Sequence, residues 1–177
     1  MKCLECGKDL RVRKNRTYRY RESGLRSVLL TGIRVFRCAA CRTEFPEIPN
    51  ILELHRSIAS ALAQKPSPLT GPELRFLRKE IGLKAKDLAR HLGTTDVNLS
   101  RWETGDTPVN PAADRLVRVL YTLHAVRAQR AVDPAKFVQT FLETFEKIVP
   151  TKHPRPLALE IPAPRRAVGA GPVPAVR

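Results

Sequence analysis

Along the first 48 residues apolar and polar positions alternate in short runs. TYRYR at 17–21 and IRVFR at 33–37 predict strands with one apolar and one polar face. Ser23-Gly24 and Thr31-Gly32 supply turn residues. From Asn50 the period becomes helical. Ile51, Leu54, Ile58, Ala61 and Leu62 fall on one stripe, with Asn50 placed to cap it. That helix stops before KPSPLTGP, which reads as a proline-rich hinge.

Beyond the hinge the pattern predicts a run of short helices. Thr70-Gly71-Pro72-Glu73 is a capping box with proline in the first turn, and Leu74, Leu77 and Ile81 follow at helical spacing up to Gly82. Lys84 to Leu92 forms the next helix, closed by Gly93. Thr95 caps a third that runs to Thr104 and ends at Gly105. Asn110-Pro111 opens a longer helix with Leu116, Val119, Leu120 and Leu123 on its stripe. Asp133-Pro134 starts one more, with Phe137, Phe141, Leu142, Phe145 and Ile148 on one face.

Residues 150–177 are rich in Pro, Ala and Arg, a composition that predicts disorder. The expected organisation is therefore a cysteine-bearing segment at 1–48, a linking helix and hinge at 49–67 and a helical DNA-binding domain at 68–130. An additional helix at 131–149 and a disordered tail at 150–177 complete it.

Charge sharpens the picture. The chain carries 32 Lys and Arg against 17 Asp and Glu, a formal +15, which points to a polyanionic partner such as nucleic acid. Residues 1–48 hold 12 basic against 5 acidic side chains, whereas 68–124 hold 9 against 7. The amino terminus lacks the apolar core of a secretory signal, and no apolar run reaches the roughly 18–20 residues of a membrane span. A cytoplasmic protein with reduced cysteines and no membrane partner is expected.

Every cysteine lies in one of two knuckles, Cys3-x-x-Cys6 and Cys38-x-x-Cys41. Two such knuckles present four thiolates to a tetrahedral zinc ion, and an antiparallel meander brings them together. Disulfide pairing is disfavoured by a reducing compartment, and a thioredoxin-like redox centre lacks its βαβ context. With four sulfurs and no open position the zinc is structural, supplying folding free energy. The histidines support no rival site. No phosphate-cradling glycine loop or nucleophile–base pair is visible, so an enzyme is not expected.

In a helix-turn-helix the second helix enters the major groove by its amino-terminal residues while the first crosses the backbone. Lys84–Leu92 and Thr95–Thr104 fit these roles, with Gly93 permitting the turn between them. The stretch LRFLRKEIGLKAKDLARHLGTTDVNLSRWETG resembles the Xre class of helix-turn-helix domains. With the paired knuckles, the linking helix, TGPELRFLRKEIGL and RLVRVL, residues 1–124 resemble the MqsA family of antitoxins. The resemblance implies a mainly α fold with a small β zinc domain at the amino terminus: a four-cysteine zinc-binding domain, a linking helix and a five-helix Xre-like domain, to which the composition of 150–177 adds a disordered tail outside the family pattern.

It also implies a homodimer on a palindromic operator in double-stranded DNA, and a zinc domain that binds a ribonuclease-type toxin. On this resemblance Arg101 matches the arginine that reaches bases, and Asn98 lies beside the family's base-reading asparagine. Arg bonds guanine bidentately and Asn can do the same for adenine. Thr95, Asp96 and Ser100 are placed to reach bases or phosphates, and Lys84, Lys86 and Arg90 to neutralise phosphates. Arg78 and Glu103 occupy positions that pair in the Xre class, while Val97, Leu99, Leu88, Ala89 and Leu92 read as core. Lys84 and Ala85 stand where Xre domains often have Ser/Thr and Gln, so phosphate contact there is ionic. Two functions fit: an antitoxin that represses its own operon, or a stand-alone regulator with no toxin.

Overall fold

The computed structural model describes residues 1–129, 139, 142, 143, 146, 148 and 156–162. Strand β1 (Leu10–Arg19) runs antiparallel to β2 (Val28–Cys38), and β3 (Glu44–Pro46) adds to the other edge of β2. The expected meander is present, and its register pairs Leu10 with Cys38, so both knuckles sit at one end of the sheet. Along β2 the buried positions are Val28 and Leu30, then Ile33, Val35 and, at its end, Cys38. The change of parity falls at Thr31-Gly32, which is a bulge inside one long strand and not the expected turn. An extra residue near Asn15 in β1 compensates, and the two bulges together restore the register.

Up to Gln129 five α-helices follow: α1 (Ile51–Ala63), α2 (Gly71–Ile81), α3 (Ala85–His91), α4 (Asp96–Thr104) and α5 (Pro111–Gln129). Asn50 caps α1 by accepting the Glu53 N–H at 3.1 Å, and Asn110 caps α5 by accepting that of Ala112 at 2.8 Å. Leu54, Ile58 and Leu62 of α1 are buried, but Ile51 in its first turn is exposed. The helix expected at 131–149 lies largely outside the described residues. Of its positions, Gln139, Leu142, Glu143 and Glu146 are helical.

The stripe expected on α5 is shifted. Its inner face carries Ala113, Val117 and Tyr121, while Leu116 and Leu123 are 37% and 49% exposed. The reason is that two charged residues, Asp114 and Arg118, are buried with that inner face. The Arg118 guanidinium donates to Asp114 (2.5 Å) and to the carbonyls of Ala63 (3.1 Å), Lys65 (2.6 Å) and Ser67 (2.8 Å). Asp114 in turn accepts the Leu69 N–H at 2.8 Å. Beside it the buried Lys65 ammonium donates to Glu73 (2.7 Å) and to the Pro68 carbonyl (2.9 Å). Residues 65–72 are therefore no hinge. The carbonyls of Lys65, Ser67 and Pro68 within this segment are held by two buried cations, Arg118 and Lys65.

The disorder expected through 150–177 does not hold at 156–162. Leu159–Pro162 forms β4, parallel to β2 with Val28 opposite Leu159 and Thr31 opposite Pro162. Leu157 and Leu159 pack against the main core. That core is continuous from Tyr20, Val28 and Ile33 of the sheet through Leu54 and Ile58 of α1 to Leu74, Leu88, Leu99 and Val117. Polar links reinforce it. The Tyr20 hydroxyl and His55 Nε2 are 2.9 Å apart, His55 Nδ1 lies 3.0 Å from Glu80, and Tyr121 donates to the Arg56 carbonyl at 3.2 Å. The fold is mainly α, with a small amino-terminal sheet that carries the cysteines.

Candidate metal centre and nucleic-acid interface

Each CxxC folds into the same tight turn. Gly7 N–H donates to the Cys3 carbonyl at 2.9 Å and Cys3 N–H to that of Lys8 at 2.8 Å. In the second knuckle Arg42 N–H donates to Cys38 at 3.1 Å and Cys38 N–H to Thr43 at 3.0 Å. The residue after the second cysteine of each turn is left-handed, Gly7 at φ 71° and Arg42 at φ 62°. Glycine adopts this freely, whereas arginine holds it at a cost of roughly 1–2 kcal/mol.

The turns bring the four Sγ atoms within 4.8 Å of one another, with Cys3–Cys41 and Cys6–Cys38 at 3.5 Å. Sulfurs about 2.3 Å from a central zinc sit roughly 3.8 Å apart, so the cluster fits a tetrahedral ion. It does not fit disulfides, whose sulfurs lie about 2 Å apart, and all four cysteines are free. The crowded thiols split in acidity. The Thr43 hydroxyl and N–H bring Cys41 down to about 6, and the Cys41 N–H lowers Cys38. At Cys6 the Lys8 N–H pulls downward, but the Cys38 thiol, burial and the remaining thiols outweigh it and raise the group to about 11. A divalent cation would draw all four into the thiolate form. The chain thus holds a four-cysteine site able to bind a metal ion.

In the helical half, α3, the turn at Gly93 (φ 63°) and α4 form the helix pair. Thr95 caps α4 by accepting the Asn98 N–H at 3.2 Å. Leu88, Ala89 and Leu99 are buried and Leu92 is half-buried against the core, but Val97 is 60% exposed. Val97 is not the core residue its apolar character suggests. One turn before Arg101 on a nine-residue helix, it shares the outer face with Ser100 and Arg101. Thr95, Asp96, Asn98, Ser100 and Arg101 are all exposed, as are Lys84, Lys86 and Arg90. The Asn98 amide approaches Thr94 Oγ1 at 3.4 Å. Lys84 occupies the cap position of α3 in extended conformation and makes no side-chain cap bond.

Two features fix α4 against α2. Arg78 grips Glu103 with Nε at 2.6 Å and Nη2 at 2.9 Å while donating to the Leu83 carbonyl at 3.0 Å. The Glu103 carboxylate raises the arginine's already high pKa. Gly71, at the start of α2, lies so close to the end of α4 that a Cβ there would sit 2.0 Å from the Trp102 carbonyl oxygen.

On the sheet a cleft of about 240 Å³ is lined by Arg11, Arg13, Arg37, Cys38, Ala39 and Arg42. Arg37 lies 3.7 Å from Glu44, but among the described residues Arg11, Arg13 and Arg42 have no acidic partner. The basic run is visible in sequence. Its convergence depends on the cross-strand register that sets Arg11 beside Arg37.

No helix among the described residues is long and apolar enough to cross a membrane. No curated protein and no solved structure matches the chain. A family model described as a helix-turn-helix domain matches residues 71–131, which span α2 to α5. The chain therefore carries a helix-turn-helix DNA-binding domain beside a four-cysteine, metal-competent sheet.

Proposed function

We propose that the chain is a cytoplasmic transcriptional regulator that binds a palindromic operator as a homodimer, with zinc at its four cysteines. The proposal extends to its being the antitoxin of a type II toxin–antitoxin pair that represses its own operon. The observation that carries the DNA reading is the outer face of α4, where Val97, Ser100 and Arg101 stand exposed on a helix braced by Arg78–Glu103. Arg101 suits guanine O6 and N7, Asn98 an adenine edge and Val97 a thymine methyl group. Lys84, Lys86 and Arg90 supply phosphate contacts from α3. The exposed Leu116 and Leu123 on α5, with Val119 and Leu120 half-buried beside them, suit a second copy. The role is binding, not catalysis.

Neutralisation of a ribonuclease-type toxin rests on the resemblance of residues 1–124. The arginine cleft favours the second reading, a regulator without a toxin. Three guanidiniums of the cleft, Arg11, Arg13 and Arg42, have no acidic partner among the described residues, and together they repel a basic toxin and attract phosphate. Selection of bound sequences from random duplexes tests the DNA half, with a two-fold symmetric consensus expected and no enrichment overturning it. Co-expression with the product of a small neighbouring reading frame tests the toxin half, and growth arrest without rescue would leave the stand-alone regulator. An Arg11→Ala, Arg13→Ala variant tests the cleft. Each lost phosphate contact flattens the log–log salt slope by about 0.9, and an unchanged slope removes the cleft from the interface.

A further inference from the structure

The outer edge of β2 is covered in two pieces. β3 pairs with Val35–Arg37, and β4 with Val28–Thr31, the stretch that β3 leaves open. The second piece comes from far along the chain and has built-in limits. The segment reads Pro-Arg-Pro-Leu-Ala-Leu-Glu-Ile-Pro-Ala-Pro over 154–164, with prolines on both flanks. Proline has no N–H to give a ladder, so strand pairing cannot extend past these ends. What remains is a short strand with apolar residues at alternate positions, Leu157, Leu159 and Ile161.

Its anchor is specific. The Leu157 N–H donates to Glu73 Oε1 at 2.7 Å, the Ser27 hydroxyl donates to the Leu157 carbonyl at 2.5 Å, and the Leu159 N–H reaches the Ser27 carbonyl at 3.1 Å. The other oxygen of Glu73 accepts from Lys65 Nζ and from the Thr70 N–H, both at 2.7 Å. One buried carboxylate thus joins the tail, the linker and the start of α2. Leu157 and Leu159 seat on the shared core, where β4 also meets α1.

We propose that residues 156–162 are a peptide ligand carried by the chain itself: a detachable strand that docks on the Val28–Thr31 edge of β2 and clasps the cysteine-bearing sheet to the helix-turn-helix bundle. The Val28–Thr31 edge with Glu73 Oε1 is then a strand-acceptor site. It takes an extended peptide of residues 156–162 in parallel register through main-chain bonds, with the Leu157 and Leu159 side chains giving specificity. Release opens that edge and leaves one oxygen of a buried carboxylate without its donor. The inference does not depend on what the α4 face binds.

The test uses the full chain with Leu157→Pro and Leu159→Asp combined, which removes the N–H donated to Glu73 and puts a charge on the core. Amide hydrogen exchange should speed at least tenfold on the outer edge of Val28–Thr31 and around 65–70, while α3, α4 and α5 keep their wild-type protection. A labelled synthetic peptide of residues 156–162 should bind this variant and restore protection, and should bind wild type far more weakly because its edge is filled. A Leu159→Met chain should retain wild-type exchange. Unchanged exchange at Val28–Thr31 in the double variant overturns the docking. Loss of protection throughout α3–α5 overturns detachability, since the strand is then an inseparable part of the core. Failure of the peptide to bind the opened variant overturns the acceptor site.

Discussion

Arg118 is 1% exposed and offers the sharpest test of how the two halves are joined. Arg118→Met keeps much of the side-chain length but removes the guanidinium. The Asp114 carboxylate then stays buried, with only the Leu69 N–H as a partner. The carbonyls of Ala63, Lys65 and Ser67 lose their donor as well. An unsatisfied buried acceptor costs about 1–3 kcal/mol, but these costs do not add, because water can follow into the vacated space. Breaking a buried pair from one side costs about 3–5 kcal/mol, and we expect Arg118→Met within that range. Against a total stability of about 5–15 kcal/mol, that loss removes between roughly a fifth and all of the margin, so a clear drop in the unfolding midpoint is expected. Urea unfolding of metal-loaded protein, followed by circular dichroism, reads the change directly. Asp114→Leu and the double variant complete a cycle. With both charges gone no buried ion is stranded, so the double variant should be about 1–3 kcal/mol more stable than the sum of the singles implies. A cost below about 1 kcal/mol for Arg118→Met, or strict additivity, would refute a linker held by buried charge.

Other substitutions probe the remaining joints. Gly71→Ala places a methyl group 2.0 Å from the Trp102 carbonyl oxygen and should cost at least about 1–3 kcal/mol by forcing α2 and α4 apart; wild-type thermal stability would show that the close approach is not needed. Metal removal by a strong chelator should abolish the strand signal and lower the melting temperature of the whole chain, with one metal ion recovered per chain by elemental analysis; an unaltered melting curve would leave the cysteine cluster without a structural metal. Arg101→Ala should cost about 1–3 kcal/mol on a selected operator and little on random duplex in fluorescence titrations, whereas an equal loss on both assigns Arg101 to phosphate. Arg42→Gly should hold or raise thermal stability by relieving a left-handed arginine at φ 62° while weakening binding to random duplex DNA; unchanged affinity would leave the strained arginine without a ligand.

Much of the fold was legible because its signals are local. The knuckle spacing, the caps at Asn50, Thr95 and Asn110, and the glycine after each short helix depend on neighbours a few residues away, and all fall where the spacing predicts. The Arg78–Glu103 grip follows from the resemblance and is present at 2.6 Å. What was hidden depends on distant partners. Hydrophobic periodicity assigns charge to the outside, so it shifts the inner stripe of α5 away from Asp114 and Arg118, and it gives no sign that Lys65 is buried beside the Glu73 of the capping box. Proline in 65–72 suggests freedom, yet Arg118 and Lys65 hold the carbonyls of Lys65, Ser67 and Pro68. The alternation at 157–161 is too short to outweigh its proline-rich surroundings, and only an open stretch of β2 edge gives it a place. Val97 misled for the opposite reason, since its apolar side chain stands exposed on the outer face of α4 beside Ser100 and Arg101.

The shared core decides how the cysteine site and the DNA-binding helices affect one another. β2 ends at Cys38, and its buried residues Val28, Leu30, Ile33 and Val35 lie in one cluster with Leu54 and Ile58 of α1. Free energy from a metal ion bound at the strand end would therefore stabilise the packing of α1 as well as the sheet. The path onward to α4 is different in kind. α2 meets the sheet side through His55–Glu80 and Glu73–Leu157, and it meets α4 through Arg78–Glu103 and the approach at Gly71. Leu74, Leu77, Leu88, Leu99 and Val117 give α2–α5 a set of buried residues that come from none of the strands. Loss of metal should thus lower global stability without dismantling the α4 face. If the proposed arginine cleft contacts DNA, the sheet's influence on binding should come through those arginines, and the truncation of their side chains should leave the α4 contacts unchanged.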